Sequence, residues 1–282
     1  MLGQRILTTI VLLAILAGAL WSDNAWWFIA ILAFAAACTT WEWLRLTLSP
    51  TLPKWIPLGV AIVLFGAMLG LAASWLSGGY MAEEWLVLIV VPIVALIWLV
   101  GATSAVFLGR SDGPGSSLVW SLFSVPACLA AWSVLALSYI NEGGRFVISM
   151  LALVWVADIA AYFVGRSIGK RKLAPKVSPG KTVAGAVAGV LGVVLWVGVS
   201  SVWESSFGQT LVASWSLWLA LPIAAVLGCL SIVGDLFESL LKRRVGRKDS
   251  SSLLPGHGGF YDRIDAILPV APVALLLSGV LF

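Results

Sequence analysis

The sequence predicts an all-α, polytopic membrane protein of about nine transmembrane helices with a cytoplasmic N-terminus. Three observations lead there. Hydrophobic residues make up 61% of the 282 and charged residues 11%, with a mean hydropathy of +1.03, whereas soluble domains are roughly a quarter charged. Apolar runs recur at the length, about 20 residues, that a helix needs to cross a bilayer core. Almost all basic residues fall in alternate connections between those runs, which is the pattern that sets orientation in a membrane. Helices follow because they satisfy their own backbone hydrogen bonds where water is absent.

In chain order, Ile6–Trp21 follows Arg5 and closes on Ala17-Gly18-Ala19. That stretch also fits a secretory signal with its small-residue cleavage site, whose removal would leave the remaining orientation unchanged. Trp26–Leu44 ends before Ser49-Pro50, and Ile56–Leu76 before Ser77-Gly78-Gly79, both of them turn formers. Trp85–Leu108 is closed by Asp112-Gly113-Pro114-Gly115, and Leu118–Ile140 by Asn141-Glu142-Gly143-Gly144. Phe146–Ile168 leads into a basic loop, Val183–Trp203 and Leu211–Val233 follow it, and the short Ala266–Phe282 ends the chain. No hydrophilic block is long enough to fold separately, so 1–282 reads as one membrane domain. Residues 1–145 supply N-terminal helices, and 146–282 carry the polar motifs.

The N-terminus and the connections after spans two, four, six and eight hold Arg5, Arg45, Lys54, Arg110, six residues from Arg166 to Lys181 and six from Lys242 to Arg263, which is 16 of the 17 Lys and Arg. The other side has Arg145 among Asp23, Glu83, Glu84, Glu142 and Glu204. Basic residues stay with the cytoplasm, so both polar loops should face the cytosol. Trp21, Trp26, Trp27, Trp41, Trp43, Trp55, Trp75, Trp85 and Trp203 stand near span ends and read as interfacial anchors. Cys38, Cys128 and Cys229 lie in apolar runs, so neither a disulfide nor a zinc site is expected. Gly66–Gly70 and Gly185–Gly189 permit close helix contact, within the chain or in a homodimer.

The segment from Ser231 to Asp265 concentrates five acidic residues, six basic ones and the single histidine. Asp235, Ser239 and Lys242 are spaced by four and three on a continuing helix, so they share a face with Glu238 beside them. An acid at the membrane edge is costly unless paired; a packing network or a polar cavity would each account for it. Asp262 and Asp265 also share a helical face, and with Asp235 alongside they would form a hard oxygen site suited to Mg²⁺ and phosphates. His257, flanked by glycines, reads as a turn residue, a strut or a ligand-positioning group. In the other basic loop, Ser178-Pro179-Gly180-Lys181-Thr182 does not meet the P-loop pattern, because Pro175 occupies the place of its first glycine. What remains is a lipid-facing basic anchor or a phosphate site at a helix start. Asp158, inside the sixth span, would pair with Arg166 or line the cavity.

The run Ser239-Leu240-Leu241-Lys242-Arg243, Lys248-Asp249-Ser250-Ser251 and Leu254-Pro255-Gly256-His257-Gly258-Gly259-Phe260-Tyr261-Asp262-Arg263-Ile264-Asp265 resembles the signature of phosphatidate cytidylyltransferases, or CDP-diacylglycerol synthases. Asp158, Gly165-Arg166 and Ser178 to Thr182 resemble that family too. After Thr182 the family commonly has an aromatic residue, Glu and Gly, whereas this chain has Val183-Ala184-Gly185. The resemblance implies the reaction of CTP with phosphatidic acid to give CDP-diacylglycerol and pyrophosphate at the cytoplasmic side of a bacterial inner membrane. It implies Mg²⁺, held by Asp262 and Asp235 with Asp265 and Asp249 as secondary ligands, and it leaves room for a second, monovalent cation. Catalytic roles go to Asp262, Asp235, Lys242, Arg243 and Arg263, and substrate contacts to Ser178, Lys181, Thr182, Ser239, Lys248 and His257. The expected partners are CTP, phosphatidic acid, membrane lipid and a second copy of the chain, with no nucleic acid. A CTP-dependent lipid kinase and an anionic-lipid flippase are the competing readings.

Overall fold

The structure, a computed structural model, describes residues 2–22, 24–78, 84–109 and 111–280. Asp23, Glu83, Arg110, the side chain of Arg5 and the last two residues of the ninth expected span lie outside the described residues. Within them the apolar runs become α1 (Leu2–Trp21), α2 (Ala25–Thr47), α3 (Ile56–Leu76), α4 (Leu86–Leu108), α5 (Leu118–Glu142), α6 (Gly144–Ile168), α7 (Val183–Ser200), α8 (Phe207–Arg244), the one-turn α9 (Tyr261–Ile264) and α10 (Ile267–Ser278). Side-chain oxygens of Asn24, Ser117, Thr182 and Ser206 accept N–H groups at the starts of α2, α5, α7 and α8, satisfying donors that a helix start leaves open.

Seven of these helices, α2 to α8, are long and apolar enough to cross a bilayer. The 12 residues of α10 span only about 18 Å. Asp265 and Ala266 keep helical dihedrals, however, so the chain runs on helically from Tyr261 through α10. The 38 residues of α8 are two helices joined at Ser216, where φ is 63° and ψ 162°. The second carries Asp235, Glu238, Ser239 and Lys242 on helix, as their spacing predicts.

One element is missing from an all-α expectation. Lys172–Ala174 (β1) and Ser178–Thr182 (β2) pair as an antiparallel hairpin, Lys172 opposite Thr182 and Ala174 opposite Ser178. Pro179 and Gly180 are poor strand formers, and three to five residues leave no readable alternation.

Hydrogen bonds sort the connections to two ends. Thr8 Oγ1 donates to Pro255 O at 2.9 Å, Ser117 N–H to Thr47 O at 2.7 Å and Arg243 Nε to Val177 O at 3.2 Å. A Cβ on Gly115 would lie 3.2 Å from Arg244 O. The first turns of α1 and the connections after α2, α4, α6 and α8 therefore share one end. At the other, Arg145 donates to Glu204 O at 3.1 Å and Ser214 to Ser278 O at 2.9 Å.

Trp43 organises the core. It stacks on Tyr261 at 4.9 Å and 7°, with Trp98, Phe123 and Phe237 packed around it. Trp43 and Trp75, expected as interfacial anchors, are buried core residues, whereas Trp21, Trp27, Trp55 and Trp85 are exposed. Position near a span end does not reveal which helical face a ring occupies. Gly185 and Gly189 press α7 onto α6: a Cβ there would stand 2.7 Å from Ala161 O and 3.0 Å from Ala157 O. Their small-residue spacing is thus used inside the chain, while Gly66 and Gly70 face open space.

Candidate functional site

The close approach of α6 and α7, the hairpin and the middle of α8 enclose a cavity of about 690 Å³. Its wall includes Asp158, Arg166, Lys172, Lys181, Thr182 and Asp235. Lys181 Nζ is ion-paired with Asp235 Oδ2 at 2.6 Å, with both side chains partly open at 26% and 32%. Thr182 Oγ1 accepts the Gly185 N–H at 3.1 Å and caps α7. The hairpin therefore turns a loop lysine inward over a helical aspartate. Of the two readings of Asp158, the cavity wall is the one observed, and Arg166 donates to the Tyr162 hydroxyl at 2.7 Å.

Two turns along α8, Lys242 joins Glu238 at 2.5 Å and Asp262 at 2.6 Å. Asp262 Oδ2 also accepts the N–H of Ser250 at 2.9 Å, the N–H of Gly259 at 2.8 Å and the hydroxyl of Ser250 at 2.7 Å. Burial would raise the Asp262 pKa, but hydrogen bonds with Glu238, Lys242 and the Gly259 N–H outweigh it and hold the carboxyl well below its usual range.

Glu42 is the buried acid at the motif loop that sequence reasoning missed. Fully buried in α2, it accepts hydrogen bonds from the hydroxyls of Ser250 at 2.9 Å and Ser251 at 2.5 Å, and from the N–H groups of Phe260 at 3.1 Å and Tyr261 at 2.7 Å. It ties the motif loop to the N-terminal half. The Ser250 hydroxyl touches both Glu42 and Asp262 but carries one proton, so it donates to one carboxylate at a time. Any side chain at Gly259 would collide with Ser250 and Glu42, and that requires glycine.

A second, polar cavity of about 510 Å³ lies in the motif loop, with Lys248, Asp249, His257 and Arg263 in its wall. Arg263 donates to His257 O through Nε at 3.1 Å, and the His257 N–H to Leu254 O at 2.9 Å. The structure thus gathers Asp235, Lys181 and Thr182 in one hollow and Lys248, Asp249, His257 and Arg263 in another. The Glu238, Lys242 and Asp262 network is a third group. Ser239 contacts Asp235 at 3.5 Å, Arg243 binds Val177 O of the turn between the strands, and Ser178 is paired in the hairpin outside the walls of both cavities. Asp235 and Asp262 do not line the same hollow.

Among the described residues no three acidic, His or Cys side chains are spaced to cage a metal ion. Mg²⁺ does not require a cage, since it keeps waters and is commonly held by one or two carboxylates plus phosphates. The donor chemistry fits: Asp158 and Asp235 stand on one cavity wall, with Lys181 as the nearby cation.

The model of the family described as Cytidylyltransferase family matches residues 3–281. The chain is similar to a phosphatidate cytidylyltransferase of Haemophilus influenzae, 33% identical over 288 residues covering 96% of each chain. It is similar to one of Pseudomonas aeruginosa, 37% identical over 280 residues, 97% of this chain and 95% of that one. An Escherichia coli protein called Uncharacterized protein YnbB is 31% identical over 272 residues, 89% of this chain and 84% of its own.

Proposed function

Since this chain belongs to the cytidylyltransferase family, we propose that it transfers the cytidylyl group of CTP to phosphatidic acid, yielding CDP-diacylglycerol and pyrophosphate at the cytoplasmic face of a bacterial inner membrane. The observation that carries this reading is the Lys181–Asp235 pair at 2.6 Å on the wall of a cavity that also holds Arg166, Lys172 and Asp158. Alternating acids and bases match a metal–polyphosphate complex, whose cation the acids hold and whose oxygens the bases hold.

A phosphate oxygen of phosphatidic acid, already ionised at neutral pH, attacks the α-phosphorus of CTP. That O–P bond forms as the bond between the α- and β-phosphates breaks and pyrophosphate leaves with its electron pair. No strong general base is needed, so catalysis reduces to positioning and charge neutralisation. Lys181, Arg166 and Lys172 bind phosphate oxygens in the cavity. Lys242, Arg243, Lys248 and Arg263 supply further positive charge to the lipid phosphate and the departing pyrophosphate, Thr182 and His257 orient the substrates from the two cavity walls, and Ser239 and Ser178 act through Asp235 and the hairpin. Asp235 and Asp158, which share the cavity wall, would hold Mg²⁺ with Asp265 behind them, while Asp262 holds Lys242 and Asp249 stays in the wall of the second cavity. Bound there, the ion supplies charge neutralisation on the triphosphate.

The test is incubation of purified protein with labelled CTP, phosphatidic acid and Mg²⁺. Lipid-extractable cytidine with pyrophosphate is expected. CDP with a newly phosphorylated lipid would instead mean a kinase, and lipid movement without CTP turnover a flippase.

A further inference from the structure

Two adjoining hollows lie along α2 and α3 and share no wall residue with either cavity described above. The first, about 280 Å³, is lined by Phe34, Cys38, Trp41, Ile62, Phe65 and Leu253 among other apolar residues. The second, about 530 Å³, begins at the same Trp41 and opens onto Arg45, Lys54 and Arg247. Neither wall contains an acidic residue. Arg45 sits over the Trp41 ring at 4.5 Å, at the seam between them. All three cations are exposed, and among the described residues none of the three forms an ion pair.

The geometry points to a binding site for one anionic phospholipid, its phosphate on Arg45, Lys54 and Arg247 and an acyl chain in the groove between α2 and α3. Charge complementarity selects the occupant. A greasy channel on paired membrane helices accepts any acyl chain, and three exposed cations in walls that hold no carboxylate accept a negative headgroup. Each basic residue near an anionic headgroup strengthens binding about fivefold. The site also touches the catalytic machinery. Arg247 and Leu253 belong to the connection that carries Ser250 and Ser251 to Glu42 and Asp262, and the Leu253 N–H donates to Ser251 Oγ at 3.1 Å. Phe34 packs edge-on against Phe260 at 5.7 Å. A lipid seated here steadies, from outside, the loop that presents Asp262.

Native mass spectrometry of the full chain, released from phosphatidylcholine nanodiscs containing a minority of phosphatidylglycerol, reads the occupancy directly. Arg45→Gln, Lys54→Gln and Arg247→Gln should each lower phosphatidylglycerol adducts about fivefold, leaving phosphatidylcholine adducts unchanged. Ile62→Trp, which fills the groove from an exposed position, should lower both. The proposal is overturned if the triple variant melts normally and keeps its phosphatidylglycerol. It is equally overturned if the wild type is a dimer that the triple variant splits with no change in bound lipid, because a second copy would then be the occupant. Should the triple variant fail to fold, Lys54→Gln, on an exposed connection, still decides the matter by showing or lacking the fivefold loss.

Discussion

Glu42 accepts four hydrogen bonds from residues more than 200 positions away, so its truncation strands three buried or half-buried donors, the Ser250 hydroxyl keeping Asp262 as its acceptor. Each stranded group costs about 1–3 kcal/mol. Glu42→Ala should therefore release the segment between α8 and α9, seen as faster limited proteolysis there, and abolish CTP-dependent turnover. Glu42→Gln keeps the shape and retains an intermediate rate; full activity in both variants would remove Glu42 from the site. Its role was half legible: an acid inside an apolar run is costly and therefore suspect, but only folding shows that it serves the motif loop. Asp262 carries a pH signature. Its folded pKa lies below the ordinary 3.8, so its stabilisation is complete above 3.8 and is lost as pH falls from there through the lower, folded-state value. Asp262→Asn should unfold with a shallower acid dependence than wild type, still insert into the membrane and lose turnover. Identical acid profiles would mean that the Lys242 and Gly259 bonds contribute nothing.

At the scale of elements, the α6–α7 pair decides the shape of the large cavity. Gly189 lets α7 lie against the Ala157 carbonyl, and a Cβ already falls 3.0 Å from that oxygen. Gly189→Leu should push the helices apart, at a cost of about 1–3 kcal/mol for overpacking, and displace Asp158 relative to Asp235. A lower melting temperature in detergent and a raised KM for CTP are expected, whereas Gly66→Leu, open to its surroundings, should change neither in a monomeric preparation. The span positions were readable because apolar length alone sets them, and Ile56–Leu76 falls on the same residues in sequence and structure. The hairpin was not readable, since Pro179 and Gly180 lack strand propensity and Lys172 meets Thr182 only through a register that the turn imposes. Helical spacing placed Asp235, Ser239 and Lys242 on one face, but it could not show that Lys181 would close over Asp235. That contact depends on the hairpin.

For the whole molecule, the argument turns on depth and sidedness. Asp235 lies nine residues before Arg244, the end of α8, so it sits about 14 Å inside the protein along that helix. Gly234 allows the backbone of Asp265 and Ala266 to meet α8 at the same level. A site at that depth can take a diacyl substrate from the bilayer and a nucleotide from water, provided its open end faces the cytosol. The hydrogen bonds that gather the first turns of α1 with the connections after α2, α4, α6 and α8 put nearly all Lys and Arg at that end. With Cys38, Cys128 and Cys229 replaced, single cysteines at Lys170 and Lys248 should react with a membrane-impermeant maleimide in inverted vesicles and stay protected in intact spheroplasts. A cysteine at Glu204 should behave oppositely. Labelling of the Lys248 position from outside would place the polar end away from the nucleotide pool, and CTP could then no longer be the substrate.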